Sequence, residues 1–576
     1  MQIDPVQREL IKNALVTIAD NMVVSVIRTS RSTVVKQNLD FSAGILDADG
    51  QLIAQGLSLP AHLGAMMPAL AGVMKRFANN IKPGDIFINN DPYEGASHLN
   101  DIFMYKPVFM NGELVAFMGV ILHHTDMGGR VPGGNATDSM EIFQEGFRIP
   151  PIKLCDEGRI NETFMALFEK QVRVPDKVLG DFRAQMAAVN IAEREMQKLC
   201  GDYEPGELKF YMKELIDYAE RLTRASIASL PDGEVTFTDY MDDNGTGIGP
   251  IKFQVRLKIE GDELTVDYTG SSEQCGGALN PNLDFTKSCT YAGLKTVLDI
   301  EIPNNAGFYR PIHIHAPEGS FLNPQFPAAL GARGAAGYRL RHAVMGVLAQ
   351  LMPERMQACP GGSEFAIAIG GYEKAKDGKR KPFMVLEFHN TTGVGGGPNR
   401  DGQDGAPFAI GNLANTPMEL LEAEGPVRFR EYGFMEGTEG PGKYRGALGM
   451  VREYEFMAEE ATVQVRSDRE TNPPWGLLGG GKGSGQVTRL NPGTPKEERA
   501  PSKFIKTLRK GDVLRSEMPG SGGYGNPLER DTKAVAEDVR QGKMTVERAR
   551  DAYGVVVDPK TFAVDEKATA AARAKA

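Results

Sequence analysis

Cysteine is scarce in this sequence, and no two cysteines form a CxxC pair. The five that occur (Cys155, Cys200, Cys275, Cys289 and Cys359) are odd in number and widely spaced. That pattern argues against a disulfide framework or a thiolate zinc site and suits reduced thiols in a cytoplasmic protein. Long basic runs are missing as well, and the formal net charge is −10. Nucleic acid is therefore not an expected partner, because binding it requires a cationic surface that displaces counterions from phosphates. No window is expected to reach the ~18–20 apolar residues that cross a bilayer, so no membrane is expected either. The opening "MQIDPVQREL" lacks a basic region followed by an apolar run, and a secretory signal is not expected. No self-similarity at a period of about 20–50 residues is visible, which argues against a solenoid or propeller. The helical zinc pattern HExxH is absent.

What is present is long and rich in turns. At 576 residues the chain exceeds one ordinary domain, and about 150 residues per domain predicts three or four units. It is 41% hydrophobic and 24% charged, which allows a sizeable core, while 66 glycines and 35 prolines favour a strand-rich protein over a helix bundle. The predicted fold class is α+β, with mixed and antiparallel sheets, flanking helices, and strand-rich central and C-terminal regions. Four regions are expected: an α/β region over 1–173, a helical hairpin over 174–230, a strand-rich region over 231–530 with an embedded helix near 333–351, and a helical segment with a flexible tail over 531–576.

Local patterns support this division. Asp4 is a good N-cap with Pro5 at the first helical position, and apolar residues from Val6 to Val26 recur at helical spacing. "FSAGILDADGQLIAQ" reads as a hairpin turning at Ala48-Asp49-Gly50, and a second helix is expected from about Leu63. "KPVFMNGELVAFMGVILHHTDMGG" is another hairpin, turning at Asn111-Gly112 and running into His123. Residues 176–228 read as two helices broken at Gly201–Gly206. Ile251, Phe253, Val255, Leu257 and Ile259 alternate strictly, as do Leu264, Val266 and Tyr268 across a turn. His313 and His315 share one side of a strand and read as an exposed face.

Against this background "DPYEGASHLND", residues 91–101, stands out: it gathers Asp91, Glu94, His98, Asn100 and Asp101 in a chain with only eight histidines. It follows one strand, His123-His124 ends another, and Asp40 precedes a third. Loops at strand ends are where a sheet commonly presents functional side chains. Asp40, His98, Asp101 and His123 could converge as two carboxylates and two imidazoles on one divalent metal, and such N/O ligation suits Zn, Mn or Fe. Glu94 reads as solvated. "GLLGGGKG", Gly476–Gly483, imitates a phosphate loop but has Gly483 where Ser or Thr would hold magnesium. It reads as glycine turns between strands, so any ATP would be bound by another chain.

Taken together, "DFSAGILDADGQLIAQ", "NNDPYEGASHLNDI", "HHTDMGG", "EIFQEGFRIPPIKL", "PEGSFLNP" and "GSGGYGNPLERD" resemble the hydantoinase B/oxoprolinase family from about residue 4 to about residue 556. The resemblance implies the metal-binding B subunit of an ATP-dependent cyclic amide hydrolase that opens a lactam, hydantoin or 5-oxoproline ring. It implies a hydantoinase A-type partner that binds ATP and Mg and phosphorylates the amide oxygen, in an (αβ)₂ assembly. The family motif falls on Asp40, His98, Asp101 and His123 as ligands of one metal, Zn foremost, with Mn and Fe as alternatives. His124, Asp126 and Glu145 are candidates for proton transfer, the first two also for orienting the ligands. The glycine-rich loops and the helices over 176–228 are candidate partner contacts. Two other readings stand beside this one: a subunit of an ATP-dependent ketone carboxylase of the acetone or acetophenone type, and a non-enzymatic protein whose metal staples three loops.

Overall fold

In the computed structural model, residues 2–59, 62, 64–362, 365–374, 378–389, 392–407 and 413–575 are described. The N-terminal region is built on helix α1 (Pro5–Thr29), one turn α2 (Thr33–Lys36), and a seven-stranded sheet of β1 (Phe41–Asp47), β2 (Leu52–Gln55), β3 (Ile86–Asn89), β4 (Asp101–Met110), β5 (Glu113–His123), β6 (Ile152–Asp156) and β7 (Arg159–Ile160). The sheet order is β2-β1-β5-β4-β3-β6-β7. Both expected hairpins form, and Asp4 caps α1 by accepting from the Val6 amide. Alternation divides the sheet into two apolar faces. Ile102, Met104, Val120 and Leu122 meet α1 and the long helix α5 (Pro175–Gly201), while Phe103, Tyr105, Phe117 and Ile121 meet α3 (Met66–Phe77). The expected start of α3 at Leu63 lies outside the described residues.

One expectation needs correction. By length and composition α1 is apolar enough to cross a membrane. In this fold it packs against α5, β1 and β2, and 44% of its most apolar window is buried. A core helix passes the same compositional test.

Helix α4 (Glu162–Gln171), α5 and α6 (Pro205–Ala228) flank this sheet. The predicted apolar face of α6 is buried at Leu208, Met212, Leu215 and Ala219. A second sheet follows, in the order β11-β10-β9-β8, from β8 (Gly233–Met241), β9 (Ile251–Glu260), β10 (Glu263–Asp267) and β11 (Ile312–His315). The alternating residues of β9 and β10 face its core, and His313 and His315 are exposed as expected. Helices α7 (Leu283–Leu294), α8 (Ala306–Tyr309) and α9 (Arg333–Leu351) complete this unit. The embedded helix thus has its predicted limits. Its residues are buried from Arg333 to Ala349, including Arg339, Arg341 and His342.

The C-terminal half contains two further sheets. One has the order β13-β12-β16-β19, with β12 (Phe365–Lys374), β13 (Arg380–His389), β16 (Glu460–Arg466) and β19 (Lys503–Arg509). The other has the order β14-β15-β20-β17-β18, with β14 (Val427–Phe434), β15 (Met450–Phe456), β17 (Val487–Leu490), β18 (Glu498–Ala500) and β20 (Val513–Glu517). Helix α10 (Met418–Glu424) precedes β14. The fold class is α+β with mostly antiparallel sheets, as expected.

One local feature adds to the expectations and one differs from them. The glycine-rich stretch at 392–397 is largely buried, and a Cβ at Gly395 would lie 2.0 Å from the Ala358 carbonyl oxygen. These glycines serve close backbone packing, while 398–400 of the same loop are exposed. The C-terminus is also no free tail. Helices α11 (Thr532–Arg540), α12 (Val546–Tyr553) and α13 (Glu566–Arg573) pack together, and Arg573 donates to the Tyr553 and Arg530 carbonyl oxygens.

Candidate metal centre

Strand pairing aligns the site. Asp101 opens β4 and lies directly opposite His123, the last residue of β5. Phe41 of β1 lies opposite Leu122, and the His123 amide donates to the Asp40 carbonyl oxygen at 3.2 Å. Residues opposite one another on neighbouring strands share a face. Asp40, His123 and Asp101 therefore form one row across β1, β5 and β4. His98 joins through a turn in which its carbonyl accepts from the Asp101 amide at 3.1 Å.

The 91–101 segment is fixed from several sides. Asp91 caps the short turn Pro92–Glu94 and pairs with Arg148. The Asn90 side chain donates to the Leu99 carbonyl, and Asn282 donates to the Ala96 carbonyl from the second unit. Gly95 has φ +97°, and a Cβ there would meet the Pro68 carbonyl oxygen at 2.3 Å, so glycine is required.

The row opens into a narrow cavity of about 30 Å³ lined by Asp40, His62, His98, Asp101, His123, Arg333, Tyr338 and Phe388, among others. That space suits an ion with a water but not a substrate ring. One donor atom from each of His98, Asp101 and His123 lies within 4.8 Å of the others, and all three residues are buried. Asp40 lines the same cavity outside this trio.

The hydrogen bonds of the trio are unequally shared. Asp101 Oδ2 accepts from Arg333 at 2.7 Å and from Ser97, and Arg333 also donates to Ser97 Oγ at 2.5 Å. Asp101 Oδ1 has no hydrogen-bond partner, nor has His98 Nε2, nor either ring nitrogen of His123. His98 Nδ1 lies 3.3 Å from the Gly331 carbonyl oxygen, which can only accept, so a hydrogen bond there places the proton on this nitrogen. Nε2 then presents a lone pair 3.0 Å from Asp101 Oδ1. Two buried electron-rich atoms at that separation repel each other unless a proton or a metal cation lies between them.

The electrostatics keep these groups in the forms that bind a cation. Burial lowers His98 to about 4 and His123 well below the usual histidine value, so both rings are neutral. Burial pushes the Asp101 carboxyl up, but His98 and Arg333 outweigh it and hold it well below the carboxylate range. The set is two neutral imidazoles and an ionised carboxylate, the chemistry of a divalent N/O site.

The other predicted residues lie elsewhere. His124 points to the opposite face of β5, donating from Nε2 to Gln185 Oε1 at 3.0 Å among Phe168 and Phe182. Asp126 accepts from the Arg173 guanidinium at 2.8 Å and from its amide at 2.6 Å, which ties down the loop after β5. Glu145 Oε1 accepts from the Leu330 and Gly331 amides at 2.8 and 2.6 Å. It therefore braces the backbone at Gly331, whose carbonyl orients His98. Burial raises its carboxyl to about 8 despite those bonds. Glu94 is exposed, as expected.

Sequence reasoning missed three residues around the cavity. His62 Nε2 lies 3.6 Å from Asp101 Oδ2, and its Nδ1 is 2.9 Å from Ser42 Oγ. Arg333 comes from the start of α9, 232 residues beyond Asp101. Phe388 of β13 stands edge-on to His123, with ring centroids 5.6 Å apart. His62 had a signal in the sequence, since four of the eight histidines (His62, His98, His123 and His124) fall in the first 130 residues. Arg333 had a weaker signal, a charge opening a helix that carries further basic residues at Arg339 and Arg341. Phe388 had none.

Known proteins place the chain as a whole. The family model described as Hydantoinase B/oxoprolinase matches residues 4–527. Caprolactamase subunit beta of Pseudomonas jessenii is 33% identical over 99% of both chains. The 5-oxoprolinase of Dictyostelium discoideum is 29% identical over 91% of this chain, which spans 40% of that protein. Among solved structures, the ATP-dependent caprolactamase from Pseudomonas jessenii superposes with TM-score 0.93 and 32% identity, covering all of both chains. An acetone carboxylase chain superposes with TM-score 0.91 at 21% identity, covering 99% of this chain and 83% of that one. At that identity the carboxylase shares the fold alone. The motifs along the sequence, the family match and the full-length relatives agree: this chain belongs to the hydantoinase B/oxoprolinase family.

Proposed function

We propose that this chain is the metal-binding B subunit of a two-component, ATP-dependent cyclic amide hydrolase that works in the cytoplasm. Its substrate is a lactam, hydantoin or 5-oxoproline ring whose amide oxygen an A-type partner has phosphorylated. The observation that carries the reading is the buried trio His98, Asp101 and His123, whose inward atoms are lone-pair donors without hydrogen-bond partners. These three, with Asp40, would hold one divalent cation, Zn foremost and Mn or Fe as alternatives. When bound, such a cation lowers the pKa of a coordinated water toward neutrality and polarises the bond under attack.

The chain's own residues prepare that chemistry. Arg333 and Ser97 occupy Asp101 Oδ2, so only Oδ1 faces inward. The Gly331 carbonyl orients the His98 ring through Nδ1, and Glu145 holds the Gly331 amide. Such outer contacts commonly set the orientation and basicity of ligands. Amide resonance opposes attack on an unactivated ring, which is why phosphorylation is needed first.

ATP and Mg belong to the partner in this reading. Gly476–Gly483 has neither a preceding strand nor a following helix among the described residues, unlike a phosphate loop. The Dictyostelium 5-oxoprolinase is more than twice as long as its match to this chain, enough to carry the second component in one polypeptide. An (αβ)₂ assembly is the expected form. The carboxylase reading has weaker support, since only the fold is shared.

Reconstitution tests this. The purified chain should turn over no ATP. With the A-type subunit it should couple ATP hydrolysis to ring opening of caprolactam, hydantoin or 5-oxoproline. Consumption of acetone and bicarbonate instead, or ATP turnover by the chain alone, would overturn the proposal.

A further inference from the structure

A second cavity lies two helical turns along α9 from the metal centre. It measures about 700 Å³ and is bounded by α7, α9 and the segments around 355–357 and 397–400. Four cations line it (Lys295, Arg341, Arg355 and Arg400), and no carboxylate does. In a chain of net charge −10 that is a local reversal of sign. Arg355 and Arg400 are exposed at the mouth and Lys295 is half-buried, while Arg341 is fully buried in the inner wall.

Arg341 is the unusual member. None of its three guanidinium nitrogens has a hydrogen-bond partner. The other buried arginines of α9 are paired, Arg333 with Asp101 and Arg339 with Asp239 and Asp468. A buried arginine without a partner is costly, because its charge has lost water and gained nothing in return. Lys295 has partial partners: its ammonium lies 4.7 Å from the centroid of the Phe308 ring, and Asp299 acts on it from outside the cavity lining. Its ammonium donates once, to the Ile302 carbonyl at 2.8 Å, and has donors to spare. Burial lowers Lys295 to about 8 and Arg341 to about 10, and no carboxylate is among the groups acting on Arg341. A site with this charge and these spare donors lacks a multiply charged acceptor.

We propose that this cavity is a binding site for a small organic phosphate, with Lys295, Arg355 and Arg400 holding the phosphoryl oxygens and the guanidinium of Arg341 turning from the inner wall, where it is covered, to join them. A guanidinium offers paired donors that match phosphate geometry, and several cations together favour a dianion over a monocarboxylate. The cavity is larger than a bare phosphate and lies within the range of ordinary ligand pockets, which leaves room for an organic group. The site is separate from the metal centre: Arg341 is eight residues beyond Arg333 on one helix, roughly 12 Å at ~1.5 Å per residue. The proposal does not depend on the cyclic amide reading.

Calorimetry and thermal melting of the purified full-length chain with phenyl phosphate, inorganic phosphate and benzoate test it. Both phosphates should bind saturably and raise the melting temperature. Phenyl phosphate should bind more tightly, because it also fills the apolar part of the cavity, and benzoate should bind least. Arg341→Met should weaken phosphate binding by roughly tenfold or more, while leaving the melting temperature in phosphate-free buffer unchanged or higher. An arginine with a purely structural role would instead lower that temperature when removed. Lys295→Met and the exposed Arg400→Ala give the same readout should Arg341→Met fail to fold, each weakening phosphate binding. Failure of both phosphates to bind saturably, or undiminished binding in these variants, would overturn the assignment. Inorganic phosphate binding as tightly as phenyl phosphate would overturn the organic part.

Discussion

His123 and His124 are neighbours in sequence and opposites in the fold. His123 faces the cavity with neither ring nitrogen hydrogen-bonded. His124 faces α5, held by Gln185 and packed among phenylalanines. Both rings are buried, and burial lowers both. Desolvation therefore does not distinguish them; the partners do. Side chains alternate along a strand, so two identical residues in succession fall on different faces and acquire different work. The first is placed to share a cation with Asp101. The second joins the sheet to the helix behind it.

Breaking the first face should have the largest effect. His98→Ala, Asp101→Ala and His123→Ala should each lose the metal and abolish ring opening by the assembled complex. A chelator should lower the melting temperature of the wild type and leave these variants unchanged, because a cation bound only to the folded state adds its binding energy to folding. His124→Leu should keep a full metal complement. It strands the Gln185 oxygen in the interior and should cost about 1–3 kcal/mol of stability. Elemental analysis with melting curves on each variant would separate the two faces. Metal loss in His124→Leu, or a full complement in His123→Ala, would collapse the distinction.

The same contrast explains what could be read from the sequence. Helices α1, α5, α6 and α9 and the β1-β2 and β4-β5 hairpins were legible because their signals are local: a cap, a proline, a period, a turn dipeptide. Three strand-end segments were legible as ligand sources for the same reason. The row Asp40–His123–Asp101 depends on β1 pairing with β5, which local periodicity does not reveal. Arg333 reaches Asp101 across 232 residues, and Phe388 arrives from another sheet. His124 and Asp126 match the motif as well as His123 does, and only the pairing shows which of them turn away from the cavity. The C-terminal helices were legible as helices, but their docking onto Tyr553 and Arg530 was not.

Glu145 sharpens the comparison at a smaller scale, since it acts on the cavity through a peptide rather than by facing it. Its folded carboxyl titrates near about 8, against an ordinary 4.5. Between those values the folded state holds a proton that the unfolded chain has released. Wild-type stability should therefore fall as pH rises through that window. Glu145→Gln keeps an acceptor for the Leu330 and Gly331 amides and has no proton to lose. Near pH 5 the variant should match the wild type, and it should gain on it steadily toward pH 8. Parallel melting curves across the window would show no such effect if Glu145 titrated normally.

The smallest effect is expected in the stretch that first drew attention. Asp91, Glu94 and Asp101 lie within eleven residues and have three different fates. Asp101 is the ionised, buried ligand candidate. Asp91 is buried as the cap of the Pro92–Glu94 turn, accepting from the Tyr93 amide at 3.0 Å and pairing with Arg148 at 2.5 Å. Asp91→Ala should cost about 0.5–2 kcal/mol, the usual cost of losing a capping side chain, with the metal retained. Glu94 is exposed on the same turn, and its backbone does the structural work by donating to the Asp91 carbonyl at 3.0 Å. Glu94→Ala preserves that backbone and removes only a solvated carboxylate. It should stay within about 0.5 kcal/mol of wild type and keep full metal content and ring-opening rate. A marked loss of metal in Glu94→Ala would mean that this carboxylate reaches the cavity, and the division of the stretch into ligand, cap and solvated residue would have to be redrawn.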